Sequence, residues 1–221
     1  MKHAKNATGV VVVIDVLRAF STAAYAFAKG TKDIRLVSTI EEAFYWKEEI
    51  PQSLVMGEVQ GLPFPGFYFG NSPPQFDSLS LDGKHLIQRT TSGTQGVVSS
   101  VNAEILLAAS FCNVGATANY LEALSPAEIT FVITGLRPGV WGDEDAACAD
   151  FMEELILGRN PDPSEYLRRV SESPPGRLFQ DPKLIDYLYQ DLEYCLAVNR
   201  FDFVMPIYRE NEHLLMIATE L

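Results

Sequence analysis

Gly9-Val10-Val11-Val12-Val13-Ile14 is an unbroken apolar run, mostly β-branched. It shows no polar alternation, so both its faces need cover, as in strands of parallel sheets. The Ala- and aromatic-rich stretch from Ala19 to Lys29 predicts a helix that ends at Gly30. Ile34 to Val37 predicts a short strand. Ser38 or Thr39 then caps a helix over Glu41 to Glu49, and Pro51 closes it. Ser53 to Met56 is a third short apolar strand. This β-α-β-α-β rhythm belongs to an α/β fold with right-handed crossovers.

From Gly57 to Phe76 the pattern breaks, with four glycines and four prolines in 20 residues. No helix or central strand tolerates that density. Four Phe and Tyr68 argue against disorder, so the stretch reads as an ordered loop that packs its own aromatics and lines a site. Strands are then predicted over Lys84 to Gln88, Ala103 to Ala109 and Glu128 to Thr134. Helices are predicted over Thr94 to Val101, Val114 to Leu124 and Asp143 to Leu157. Pro161, Pro163, Pro174 and Pro175 mark an irregular stretch around one short helix, Ser164 to Val170. Leu184, Ile185, Leu188, Leu192, Cys195 and Leu196 describe one helical stripe. Asp202 to Tyr208 and His213 to Thr219 predict an antiparallel hairpin. The expected fold is three-layer α/β/α. It has a largely parallel or mixed central sheet and a C-terminal antiparallel hairpin, in one domain over residues 1–221.

Charge narrows the partners. The chain carries 17 Lys and Arg against 29 Asp and Glu, a net −12, and no basic cluster. That excludes a sequence-independent nucleic-acid binder and disfavours anionic membranes. With 47% hydrophobic and 21% charged residues the chain is not of disordered composition. Cys112, Cys148 and Cys195 have neither zinc spacing nor an even count, and are expected as small core hydrophobes. The apolar run after Lys2 and Lys5 is broken at Asp15, no cleavage-site pattern follows, and nowhere do 18 apolar residues run together. The expectation is a soluble cytoplasmic protein. A homodimer is in keeping with the size, though no sequence feature establishes it.

The chemistry-bearing residues gather at the ends of predicted elements. Asp15 ends the first strand, where ligands bind in open α/β sheets. A carboxylate there coordinates a hard cation, attacks phosphorus, or merely caps the next helix. Arg18 either forks onto a phosphate or sulfonate or pairs with Asp15. Glu58 holds the corresponding place after Gly57, as a second arm of a cation site or a solvated strand-end acid. Asn71 and Ser72, in Gly70-Asn71-Ser72-Pro73, add a carbonyl oxygen, amide donors and a hydroxyl. The sharpest segment is Arg89-Thr90-Thr91-Ser92-Gly93-Thr94. It follows a strand and opens a helix, so its hydroxyls and free N–H groups suit an anion, with Gly93 allowing close approach. GxxxxGK[ST] spacing is absent, so nucleotide triphosphates are not implied. Glu144 and Asp145 either complement the dipole of their helix or form a third acidic arm, and Arg137 lies near enough to assist. His3, His85 and His213 show no metal spacing and read as structural.

Taken together, Ile14-Asp15-Val16-Leu17-Arg18-Ala19, Gly57-Glu58, Gly66-Phe67 leading to Gly70-Asn71-Ser72-Pro73, Thr90-Thr91-Ser92-Gly93-Thr94, Ala109-Ser110-Phe111-Cys112-Asn113 and Glu144-Asp145 resemble the 2-phosphosulfolactate phosphatase family. The likeness covers roughly residues 10 to 158. It implies Mg²⁺-dependent hydrolysis of 2-phosphosulfolactate to sulfolactate and phosphate, a step of coenzyme M biosynthesis in that family. Asp15 and Glu58 would be metal ligands, with Glu144 or Asp145 a third. Arg18 and the 90–94 segment would hold the phosphoryl oxygens. The chain departs from the family pattern at Val59, where Arg is common, at Phe67-Tyr68-Phe69, where Phe-Asp-Leu is common, and at Ser92, where Asn is usual. The first two departures bear on sulfonate recognition more than on phosphate binding. A phosphatase for another small acidic phosphoester, and a non-catalytic anion-binding relative, stand as alternatives.

Overall fold

The structure is a computed structural model that describes residues 4–135, 142–211 and 213–221. Its strands are β1 (Gly9–Ile14), β2 (Asp33–Leu36), β3 (Leu54–Gly57), β4 (His85–Arg89), β5 (Ala103–Ala109), β6 (Ile129–Ile133), β7 (Phe203–Glu210), β8 (His213–Met216) and β9 (Thr219–Glu220). They form one mixed sheet in the order β3-β4-β2-β8-β7-β5-β1-β6, with β9 against β7. Two parallel triplets, β3-β4-β2 and β5-β1-β6, are joined by the antiparallel β7–β8 pair. The C-terminal hairpin expected from sequence therefore lies in the middle of the sheet.

The helices are α1 (Ala19–Ala28), α2 (Ile40–Glu49), α3 (Gly93–Ser99), α4 (Val114–Leu124), α5 (Asp143–Ile156), α6 (Ser164–Glu172), α7 (Pro174–Leu178) and α8 (Tyr189–Cys195). Thr39 caps α2 through a reciprocal box with Glu42. Nine of the ten α1 residues are buried, so this helix can have no polar face, and its sequence has none. It lies in the largest core cluster with Val11 and Val13 of β1, Ile34 and Leu36 of β2, and Leu86 of β4. The other face of β1 (Val10, Val12, Ile14) packs with α4 and α5, and Val55 and Ile87 pack with α2. Helices thus cover both faces of the sheet. Removing Phe20, fully buried on α1, by Phe20→Ala would cost about 3–5 kcal/mol. All three cysteines are free and buried. Among the described residues no helix is long and apolar enough to cross a membrane.

Two expectations fail in the C-terminal third. Pro174 and Pro175, read as breakers, open α7, because proline is tolerated where the first-turn N–H has no helical partner. Ser173 caps that helix through Gly176 N. The stripe from Leu184 to Leu196 is helical only from Tyr189. Ile185 is 82% exposed, and turns bonded Leu184 N to Asp181 O and Tyr187 N to Leu184 O occupy the first part.

Candidate active site

A cavity of about 330 Å³ opens where the C-terminal ends of β1, β3 and β6 meet the start of α5 and the segment from α7 to Tyr187. Its polar lining is Asp15, Arg18, Glu58, Gln60, Asn71, Ser92, Thr134, Glu144 and Asp145. Leu17, Pro174, Pro175, Leu178, Phe179 and Tyr187 supply an apolar wall. Parallel pairing of Ile14 with Ile133 puts Asp15 beside Thr134. Asp15 Oδ1 accepts from Ala19 N (2.9 Å), which caps the start of α1, and Gly93 N–H adds a further bond. Gly93 has to be glycine, because a Cβ there would lie 2.8 Å from Asp15 Oδ2. Asp145 Oδ1 accepts from Val16 N (2.7 Å) and its Oδ2 from Gly135 N (2.9 Å).

The Thr134 hydroxyl sits between the two buried carboxylates. Its Oγ1 lies 3.0 Å from Ile14 O, 3.2 Å from Asp15 Oδ2 and 3.1 Å from Asp145 Oδ2. One hydroxyl has one proton to donate. Three acceptors therefore share its proton, while each carboxylate also accepts from two backbone N–H groups. Burial pushes the Asp15 carboxyl up from 3.8 to about 6, with Glu58 adding to the rise and the Ala19 and Gly93 bonds opposing it. Burial, with Asp15 and Glu144 nearby, pushes Asp145 well above the ordinary carboxylate value.

The segment after β4 is bound into the fold more tightly than its sequence suggests. Thr90 Oγ1 accepts from Thr94 N (3.0 Å), while Thr94 Oγ1 accepts from Thr90 N (2.9 Å) and reaches Thr90 O (2.8 Å). Thr91 Oγ1 donates to Glu58 Oε2 (2.9 Å) and accepts from Gln60 N (2.7 Å). The expected four-hydroxyl anion cradle is thereby corrected: Thr90, Thr91 and Thr94 spend their hydroxyls internally, and Ser92 alone of them lines the cavity. The N–H groups of Gly93 and Thr94, at the start of α3, go to Asp15 and Thr90. Arg89 also lies outside the cavity lining, with Nη1 donating to Glu58 O (2.9 Å). Glu58 lines the cavity, but its carboxylate takes Thr91 N, Thr91 Oγ1 and Gly61 N, pinning the loop after β3 to the segment after β4. Gly57 makes the crossing feasible: at φ +131°, its Cβ would sit 1.9 Å from Arg89 O.

Arg18 pairs not with Asp15 but with Asp191 of α8. Its Nη1 lies 2.5 Å from Asp191 Oδ2, and the guanidinium stands over the rings of Phe179 (5.0 Å) and Tyr187 (5.6 Å). Ser72 Oγ donates to Asp191 Oδ1 (2.5 Å). Asn71 is buried on the cavity wall, and its Oδ1 has no hydrogen-bond partner among the described residues.

A 2-phosphosulpholactate phosphatase family model matches residues 1–211. Similar chains include a probable 2-phosphosulfolactate phosphatase of Bacillus subtilis, 33% identical over 95% of this chain and 92% of that one. One of the same name from Carboxydothermus hydrogenoformans is 33% identical over 98% and 94%. Another from Thermotoga maritima is 40% identical over 56% and 52%. The chain belongs to the 2-phosphosulfolactate phosphatase family. Its members are phosphoric monoester hydrolases by name, and the resemblance read from the motifs holds over nearly the whole chain. Two departures from the family pattern fall away from the cavity. Tyr68 is 68% exposed, packed edge-on against Phe69, and Val59 pairs its backbone with Leu62. Ser92, the third, is on the wall.

Sequence reasoning on this phosphatase-family chain missed Thr134, Phe179, Tyr187 and Asp191. Asp191 carried a signal, since it falls on the same helical face as Leu188, Leu192 and Cys195, where an acid must be paired. Arg137 and His3 lie outside the described residues. His85 pairs with Asp33 (2.9 Å) and His213 packs on Trp46, both away from the cavity. As for a cation, no three His, Cys, Asp or Glu side chains form a ready cage among the described residues. Mg²⁺ does not require one, because it keeps waters and uses one or two carboxylates plus substrate oxygens. Asp15, Glu144 and Asp145 are buried hard-oxygen donors in one cavity, and with the crowded Thr134 hydroxyl they fit such an ion.

Proposed function

We propose that this protein hydrolyses 2-phosphosulfolactate to sulfolactate and inorganic phosphate, with Mg²⁺ as the assisting ion. The reading draws on the names of its relatives and on one observation: Asp15 and Asp145 share the Thr134 hydroxyl in a cavity lined by four carboxylates. Asp15 with Glu144 or Asp145 would hold the ion, while Glu58 fixes the two loops that frame it. A divalent ion held there would offset the lining charge and supply Lewis-acid polarisation of the phosphoryl group. Arg18 takes an oxyanion of the substrate from the opposite wall. Ser92 and Asn71 line the same space. Leu17, Pro174, Leu178 and Phe179 exclude water around the pair of charges, which strengthens each contact. Asp15 acts as ligand or as nucleophile, and Asp15→Asn removes both functions.

The test is phosphate release from 2-phosphosulfolactate and from a panel of other phosphorylated hydroxy acids, with and without Mg²⁺. Release that is fastest with 2-phosphosulfolactate, needs Mg²⁺ and vanishes in Asp15→Asn supports the reading. Near wild-type turnover in that variant, or full activity in EDTA, overturns it.

A further inference from the structure

We propose that Asp191 is a positioning residue that, with Ser72, fixes the Arg18 guanidinium as the anchor for a substrate oxyanion. The inference rests on the phosphatase reading and deepens it by naming what sets the anchor. Asp191 is fully buried and uses both carboxylate oxygens, Oδ2 on Arg18 Nη1 and Oδ1 on Ser72 Oγ, each at 2.5 Å. Phe179 and Tyr187, from the same C-terminal segment, place their rings 5.0 and 5.6 Å from the guanidinium carbon. The other contacts of Arg18 are long: Nη1 to Asp186 O at 3.5 Å and Nη2 to Gly61 O at 3.4 Å. Among the described residues, one of its five N–H donors is firmly committed, while the side chain lines the cavity.

A buried Arg–Asp pair is a poor device for stability, since desolvation offsets much of its attraction. What it supplies is a fixed orientation. Held at Nη1 and packed against two aromatic rings, the guanidinium presents its remaining donors without having to be ordered at each binding event. The motifs of the first two-thirds contribute Arg18 and Ser72. The segment after Ser173 contributes Phe179, Tyr187 and Asp191, so that segment is part of the site and not only packing.

The experiment is a double-mutant cycle. Wild type, Asp191→Asn, Arg18→Ala and the double variant are compared by KM and kcat on 2-phosphosulfolactate with saturating Mg²⁺, with thermal denaturation alongside. An anchor that holds ground and transition states alike shows in KM. Asp191→Asn should raise KM about tenfold with kcat within about threefold, and change it less than about twofold once Arg18 is Ala. Full multiplication of the two effects, or a fall in kcat at unchanged KM, overturns the proposal. If Asp191→Asn does not fold, Ser72→Ala replaces it, with a KM rise of about threefold that must vanish in the Arg18→Ala background. Should wild type release no phosphate from this ester, the substrate reading fails by itself. The same cycle is then read on calorimetric binding of inorganic phosphate with Mg²⁺, where independent effects overturn the role of Asp191.

Discussion

Without a cation, the ionised form of Asp15 is a burden on the fold, and its removal should stabilise the protein. Its carboxyl titrates near 3.8 in an unfolded chain and at about 6 in the folded one, chiefly because it is buried. Between those values the folded state keeps a proton that the unfolded state has lost, so stability falls as pH rises from about 4 to about 6. Above pH 6 the full difference of some two units stands, a cost of about 3 kcal/mol. Asp15→Asn carries no charge and keeps an acceptor for Ala19 N. Its amide turns a donor toward Gly93 N–H or gives up that bond, which returns about 1 kcal/mol of the gain. The variant should therefore gain about 2 kcal/mol at pH 7.5 in EDTA, a rise of about 4–8 °C in melting temperature for a chain this long. At pH 4 it should gain nothing. Saturating Mg²⁺ should close the gap at pH 7.5 by stabilising the wild type alone. Urea unfolding of both proteins at pH 4, 5.5 and 7.5, with EDTA or Mg²⁺, measures all of this. A stability difference that does not change with pH would refute the idea that burial of the Asp15 charge burdens the fold.

Four lining carboxylates against Arg18 also make anion binding depend on the ion, so calorimetry should detect inorganic phosphate with Mg²⁺ and little or none in EDTA. Thr134→Val keeps the shape but removes the shared hydroxyl. It should shift the Mg²⁺ concentration for half-maximal activity by about tenfold, read from a metal titration. Thr90→Val breaks the mutual bonds with Thr94 and should cost about 1–3 kcal/mol in urea unfolding, with KM unchanged, because neither threonine lines the cavity. Val59→Arg and Tyr68→Asp introduce the residues that the motif resemblance leads one to expect at these positions. Both should leave the ranking of ester substrates unaltered in competition assays, since both positions lie off the cavity wall.

The first two-thirds of the fold was legible because each element carries its own local signal. The β-branched run of β1, the Thr39 cap of α2 and the Ala-rich body of α1 lie within a residue or so of their expected places. What local pattern does not hold is the order of strands. The β7–β8 hairpin shows its own turn and alternation, yet nothing in those residues says that it inserts between β2 and β5. That insertion is decided by which apolar faces remain uncovered once the parallel triplets form, a non-local quantity. The α7 and α8 region was misread for a different reason. Pro174-Pro175 breaks a helix interior and suits a helix start, and the Ser173 cap is what separates the two cases.

The site divides along the same line. Asp15, Glu58, Ser92, Glu144 and Asp145 end strands or open helices, where backbone direction points them toward one end of the sheet, and all five line the cavity. The hydroxyls of Thr90, Thr91 and Thr94 were read the same way and proved to be spent inside the fold. Position at an element end thus selects candidates, but the hydrogen-bond count decides which of them has anything left to offer a ligand. By that count Thr134 and Asn71 gain importance. One is a donor with too many acceptors, and the other is an acceptor with no donor among the described residues. Neither feature can be read from residue type or spacing. The acidic balance of the whole chain follows the same logic: a net −12 does not set the sign of a small ligand that would enter with a metal ion.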